Sequence, residues 1–267
     1  MRNVEAWRLL TTLGNSKKIL EFAARFLKWP QLTTQQREQN RFIASALKDS
    51  RKHSRYSLCY KNAAFLVSSR GDKLALANIS FEGLGIYFEG RGHEKFMHSG
   101  HVSLNFLGQA TEVFVQQAYV GETIAGYRLV HEDSSSLIFI REIIDALKKG
   151  ASLQVLNKEL LQESLQGDEW TCLHGEGPTD LRIKVDADGT PTYCLLSFRI
   201  ADEYFELLYN GQSLHLEPSG RLASAMLTVI RYGLNILLGI QNATVAKMLR
   251  PVFEIGTKAL PTLVDKP

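Results

Sequence analysis

Two stretches of this 267-residue chain carry residue types that suit a ligand: Arg51-Lys52-His53-Ser54-Arg55, and further on Asn78-Ile79-Ser80-Phe81-Glu82-Gly83. A guanidinium forks onto phosphate oxygens, meets the O6/N7 edge of guanine bidentately and stacks on a purine face; lysine supplies the charge without the plane or the fork. In the second stretch an Asn amide can hydrogen-bond a base edge and a Ser hydroxyl can donate to base or phosphate. Glycine lets the backbone approach closely or take a positive φ. Neither motif is decisive alone. A second arginine pair at the same spacing, Arg37-Glu38-Gln39-Asn40-Arg41, reads as the solvated face of a helix capped by Thr33 or Thr34, with Phe42, Ile43, Ala46 and Leu47 on its apolar side.

The elements around the two motifs set 51–55 apart. Tyr56 to Tyr60 and Ala63 to Val67 are strand-like, Gly71-Asp72 suits a hairpin turn, and Lys73 to Ala77 leads into the Asn motif. Leu84 to Phe88 leaves it, and further strands are expected at His101–Phe106, Thr111–Ala118 and Ala125–His131. Leu137 to Leu147 then recurs at helical spacing. Arg-x-x-x-Arg, strand, turn, strand, Asn-x-Ser-x-x-Gly, in that order, resembles the PilZ domain over roughly residues 50 to 147. The resemblance implies a six-stranded antiparallel β-barrel within an α+β chain, and a receptor for the bacterial second messenger cyclic di-GMP. It further implies that Arg51 and Arg55 clamp the nucleotide, and that Asn78, Ser80 and Gly83 complete the site.

Composition bounds the other possibilities. A hydrophobic content of 45% suits a globular chain with room for about two domains. Residues 1–73 hold 15 Lys+Arg against 5 Asp+Glu, net +10; the remainder holds 16 against 23, net −7. A positive amino-terminal part steers an anion toward 51–55 without choosing which anion. Cys59, Cys172 and Cys194 form neither a C-x-x-C nor an even set, the pattern of a reducing compartment, so a cytoplasmic location is expected. The start shows no signal core, and Ala225 to Ile240, interrupted by Arg231 and Asn235, is too short to cross a bilayer.

The expected organisation is a helical segment at 1–50, the PilZ-like barrel at 51–150 and an α+β unit of unrecognised family at 151–267. Within the first, Ile19, Leu20, Phe22, Ala23, Phe26 and Leu27 make a helix ending at Trp29-Pro30, expected to dock on its neighbour. Lys148 to Ser152 reads as a boundary and Leu153 to Leu165 as a helix. Strands follow at 170–173, 181–186, 192–199, 204–209 and 213–217. A long helix runs to about Ile240, and a last one from Asn242 or Thr244 stops at Pro251.

Other chemistry finds little support. Asp186-Ala187-Asp188-Gly189 imitates a calcium loop but lacks its later ligands, and reads as a hairpin turn. His53, His93, His98 and His101 fall near the barrel, yet His98 and His101 would face opposite ways on one strand, so no metal is expected. No nucleophile elbow, phosphate loop or zinc-protease motif appears, and the chain is expected not to be an enzyme and to need no cofactor. The expected function is that of a cyclic di-GMP receptor that turns binding into a conformational or partner-binding change. A protein partner would be met through the amino-terminal helices or the carboxy-terminal unit. The alternatives are a PilZ-like protein scaffold that binds no nucleotide, and a nucleic-acid regulator using the basic amino-terminal part, for which no reader motif is present.

Overall fold

The structure, a computed structural model, describes residues 54–87, 99–130, 133–217 and 223–264, with the side chains of 223–225 and 261–264 left aside. The two expected amino-terminal helices, Arg51, His53, His93 and His98 lie outside these residues.

Seven strands build the first sheet: β1 (Tyr56–Ser57), β2 (Ala64–Val67), β3 (Lys73–Ser80), β4 (Gly83–Tyr87), β5 (Ser99–Phe106), β6 (Gln109–Val120) and β7 (Ile124–Val130). All pair antiparallel. The run β3-β2-β5-β6-β7-β4 closes when β4 pairs back onto β3, giving a six-stranded barrel, and β1 adds to β3 beyond the end of β2. Alternation explains the closure: Ile79, Leu84, Ile86, Val115 and Ala125 are fully buried and fill the interior, while their neighbours face outward. The turn between β2 and β3 is the expected one. Gly71 takes φ +82° and the Ser68 hydroxyl oxygen accepts from the backbone N–H groups of Arg70 and Asp72.

Helix α1 (Ser134–Ser152) follows β7, with the Asp133 carboxylate accepting from the Ser136 N–H at 2.7 Å as its N-cap. The second sheet is an antiparallel meander of β8 (Gln154–Val155), β9 (Trp170–Gly175), β10 (Thr179–Val185), β11 (Pro191–Ile200), β12 (Glu203–Tyr209) and β13 (Leu214–Glu217) in that order. Helices α2 (Ala223–Leu238) and α3 (Ala243–Val264) pack on each other and on this sheet. One apolar core runs from Leu84 and Val115 in the barrel through Ile143 and Leu147 of α1 to Leu181 and Phe198 of the second sheet. The architecture is α+β, as expected.

Four expectations are corrected. Lys148 to Ser152 does not break the chain but completes α1. Gly150 sits inside that helix because a Cβ there would overlap the Ile236 carbonyl oxygen, and Gly239 presses on the Leu147 backbone in the same crossing. Leu153 to Leu165 is not a helix. Gln154-Val155 joins the sheet edge, and two 3-10 turns (Lys158–Leu160 and Glu163–Leu165) fold Leu161 and Leu165 onto Cys172 on the sheet's other face. Helix α3 does not stop at Pro251. The missing N–H leaves the Lys247 carbonyl without its helical partner, but both residues are exposed, so water can satisfy it, and burial of Val252, Phe253 and Leu260 outweighs the loss. Asn242 caps this helix, accepting from the N–H groups of Thr244 and Val245 at 3.1 Å each. Finally, β1 ends at Ser57, not Tyr60. Leu58 N–H still bonds to Ala77 O, but Cys59 N–H turns away to Leu238 O of α2. Asp186–Gly189 is the expected hairpin, its Asp186 carboxylate accepting from the Asp188 and Thr190 amides.

Candidate ligand-binding face

The β1–β3 register decides whether the two motifs can meet. Tyr56 stands opposite Ile79 and Ser57 opposite Asn78, so one further antiparallel step sets Arg55 beside Ser80. Tyr56 is buried while Arg55 and Ser57 are exposed, which turns Arg55 to the outside of the barrel. Ser80 and Asn78 lie on that same outer side, because Ile79 between them fills the interior. Arg55, Asn78, Ser80 and Gly83 thus fall at one end of the barrel, Arg55 exposed, Asn78 half-buried, and Ser80 and Gly83 buried.

Locally the hairpin is fixed by its own residues. Ser80 pairs with Gly83 across the two-residue turn Phe81-Glu82, and the Ser80 hydroxyl donates to the Gly83 carbonyl at 3.0 Å. Ser80 thus shapes the turn and keeps its oxygen lone pairs for a further donor. Gly83 is not required by a positive φ. A Cβ there would lie 2.7 Å from the Tyr127 carbonyl oxygen of β7, so close backbone approach is what demands glycine.

Asn78 follows a bulge between Leu76 and Asn78 and lays its amide over Gly85, where an added Cβ would be 2.9 Å from either amide atom. Its Oδ1 is buried and has no hydrogen-bond partner among the described residues. An orphan acceptor of this kind costs stability until something donates to it. A base N–H is one such donor.

The segment just after Arg55 is strapped to the carboxy-terminal helices. The Gln241 side-chain amide donates to Ser57 O at 3.1 Å, Cys59 N–H to Leu238 O at 3.1 Å, and the Tyr60 hydroxyl to Ala246 O at 2.6 Å. The Tyr60 and Phe253 rings are 4.4 Å apart. Sequence reasoning missed these ties, since no local signal links positions nearly two hundred residues apart. Burial raises the Tyr56 phenol and pushes the thiols of Cys59 and Cys194 up to about 12 and of Cys172 to about 11, so none of the three is a thiolate at neutral pH. His101, one of the four histidines near the barrel, stands edge-on to Phe114 at 5.1 Å between ring centres. No described helix is long and apolar enough to cross a membrane.

No family model matches the chain, and no curated protein matches it. Among solved structures it aligns with an uncharacterized Legionella protein at 11% identity and a TM-score of 0.29, over 34% of this chain and 95% of the other. It also aligns with the Borreliella burgdorferi PlzA protein in complex with c-di-GMP at 11% identity and a TM-score of 0.23, over 81% of this chain and 98% of that one. Scores this low carry no weight for fold or function.

Proposed function

We propose that this chain is a cyclic di-GMP receptor of the PilZ type, acting in the cytoplasm without catalysing a reaction. The observation that supports it is the β1–β3 register, which sets Arg55 beside Ser80 on the same outer face as the orphan acceptor of Asn78. Arg51 and Arg55 close over the nucleotide's phosphates and one guanine, Asn78 meets a base edge, and Gly83 keeps the hairpin flat against β7. No metal or cofactor takes part.

Ligand binding draws Arg55 and the strand that follows it toward the nucleotide, and the bonds from Ser57, Cys59 and Tyr60 carry that change to α2 and α3, where a protein partner would read it. The size of the signal is limited to the ligand's differential affinity for the two arrangements. A melt of the full chain with cyclic di-GMP beside GTP and cyclic AMP tests the reading, since only a ligand that binds the folded state raises the melting temperature by mass action. A rise with cyclic di-GMP alone is expected; no shift, or equal shifts with all three, rejects it.

A further inference from the structure

Arg128 was not part of either sequence motif, yet the β4–β7 register places it directly opposite Gly83. It is exposed between buried Tyr127 and Leu129, so its side chain stands on the outer face of the barrel. Across that face one row reads Ser80, Gly83, Arg128 through β3, β4 and β7, and Arg55, the residue just before β1, extends it by one antiparallel step. At the usual spacing between paired strands the two arginine backbones are about 14 Å apart, with only a serine and a glycine between them. The next row reads Ser57, Asn78, Gly85, Gly126. A Cβ on Gly126 would run into the Tyr119 ring, which lies across that glycine while 46% of the residue stays exposed. Between the two arginines the strands thus carry only small residues, Ser80, Gly83, Gly85 and Gly126, all of them buried, with the Asn78 amide laid over Gly85 and the Tyr119 ring over Gly126.

A lone arginine on a strand is ordinarily a solvated charge, and a tyrosine laid over a strand glycine ordinarily repairs the missing side chain. What sets this pair apart is where they stand. Arg128 makes no ion pair with a described residue, and both border the rows of small residues that begin at the hairpin of the proposed site. Resting on the cyclic di-GMP reading above, we infer that Arg128 is a third arginine of the nucleotide site. It holds the half of the ligand that the Arg51–Arg55 clamp leaves uncovered, with the Tyr119 ring beside it for a purine to stack on. The ligand chemistry fits: a cyclic dinucleotide repeats its phosphate and its guanine, so a clamp on one side leaves one anion and one O6/N7 edge for a second guanidinium.

Titration calorimetry of the full chain with cyclic di-GMP tests this on Arg128→Ala, Arg128→Lys, Arg55→Ala and, as a control, Arg70→Ala. Arg70 is exposed on the β2–β3 turn at the other end of the barrel. Arg128→Ala is expected to weaken binding about tenfold or more, with Arg128→Lys intermediate, because it keeps the charge and loses the fork, and Arg70→Ala unchanged. Because Arg128 is exposed, the ligand-free melting temperature should stay that of the parent. If Arg55→Ala loses affinity while Arg128→Ala binds like the parent, the receptor stands and this assignment is wrong. Equal small losses in Arg128→Ala and Arg70→Ala would reduce the effect to general charge and also reject it. If the parent chain takes up no cyclic di-GMP, both readings fall together.

Discussion

Gly83→Ala is the most informative single change to the hairpin, because its cost can be reasoned from one distance. The new methyl would sit 2.7 Å from the Tyr127 carbonyl oxygen, a backbone atom that cannot swing aside, and 3.8 Å from the Arg128 Cα. Gly83 does not have a positive φ, so alanine meets no left-handed strain there. Forcing a methyl into packed backbone costs about 1–3 kcal/mol, and a less flexible unfolded chain returns about 0.4–1 kcal/mol. The net loss is about 0–2.6 kcal/mol, centred on roughly 1.3, which lowers the melting temperature by up to about 10 °C for a chain of this size. A calorimetric melt reads the first effect. Titration with cyclic di-GMP reads the second, because prising β4 from β7 displaces the turn that carries Ser80, and affinity should fall several-fold. Gly71→Ala makes the contrast: its φ of +82° strains any side chain, yet nothing lies within 4 Å and it stands far from the site. It should lose stability without losing affinity. A Gly83→Ala protein that melts and binds like the parent would refute the close β4–β7 approach and the need for glycine at this position.

Arg51→Ala and Arg55→Ala should each weaken cyclic di-GMP binding by about ten- to hundred-fold, since a hydrogen bond to a charged group is worth about 1.5–3 kcal/mol; calorimetry that finds either affinity unchanged removes that residue from the clamp. Tyr60→Phe removes the 2.6 Å bond to Ala246 O. It should leave nucleotide affinity within a few-fold while abolishing any ligand-induced change in amide exchange at the start of α3, and an undiminished change would show that the signal travels elsewhere. In the second sheet burial disfavours charged His174, but the Asp180 carboxylate 2.7 Å away outweighs it and the imidazole pKa is raised. The pair's stabilisation is therefore complete below about pH 6.5 and fades as pH rises through the higher folded value. Melts across that range should show the fade in the parent and not in Asp180→Asn; matching profiles would mean the pair does not couple to folding.

The barrel was largely legible in the sequence because large apolar residues recur at alternate positions over much of it, as in Leu84-Gly85-Ile86 and Val113-Phe114-Val115, despite the bulges in β3 and β6. Residues 153–165 misled because leucines at helical spacing do not make a helix where the chain must first pair Gln154-Val155 with β9. Pro251 misled because its local penalty is real, but the sequence does not show which face of α3 is buried. Both halves of the candidate site were visible as motifs. Their meeting was not, since it depends on a two-residue strand, Tyr56–Ser57, pairing with the far end of β3. Arg128 was invisible for the same reason: it lies 45 positions after Gly83 in the chain and one strand away in space.

The crossing of α1 and α2 has a mechanical consequence. At Gly150 and Gly239 each helix rests on the other's main chain, with no side chain between them. Interdigitated leucines can absorb a small displacement by changing rotamer, whereas two touching backbones cannot, so the joint behaves as a stiff pivot. Cys59 N–H grips Leu238 O one residue from that joint, so this strap holds α2 at its fulcrum, and a tilt of the helix has to be driven from farther along it. Movement should be smallest at the fulcrum and largest at the distant tip of the helix.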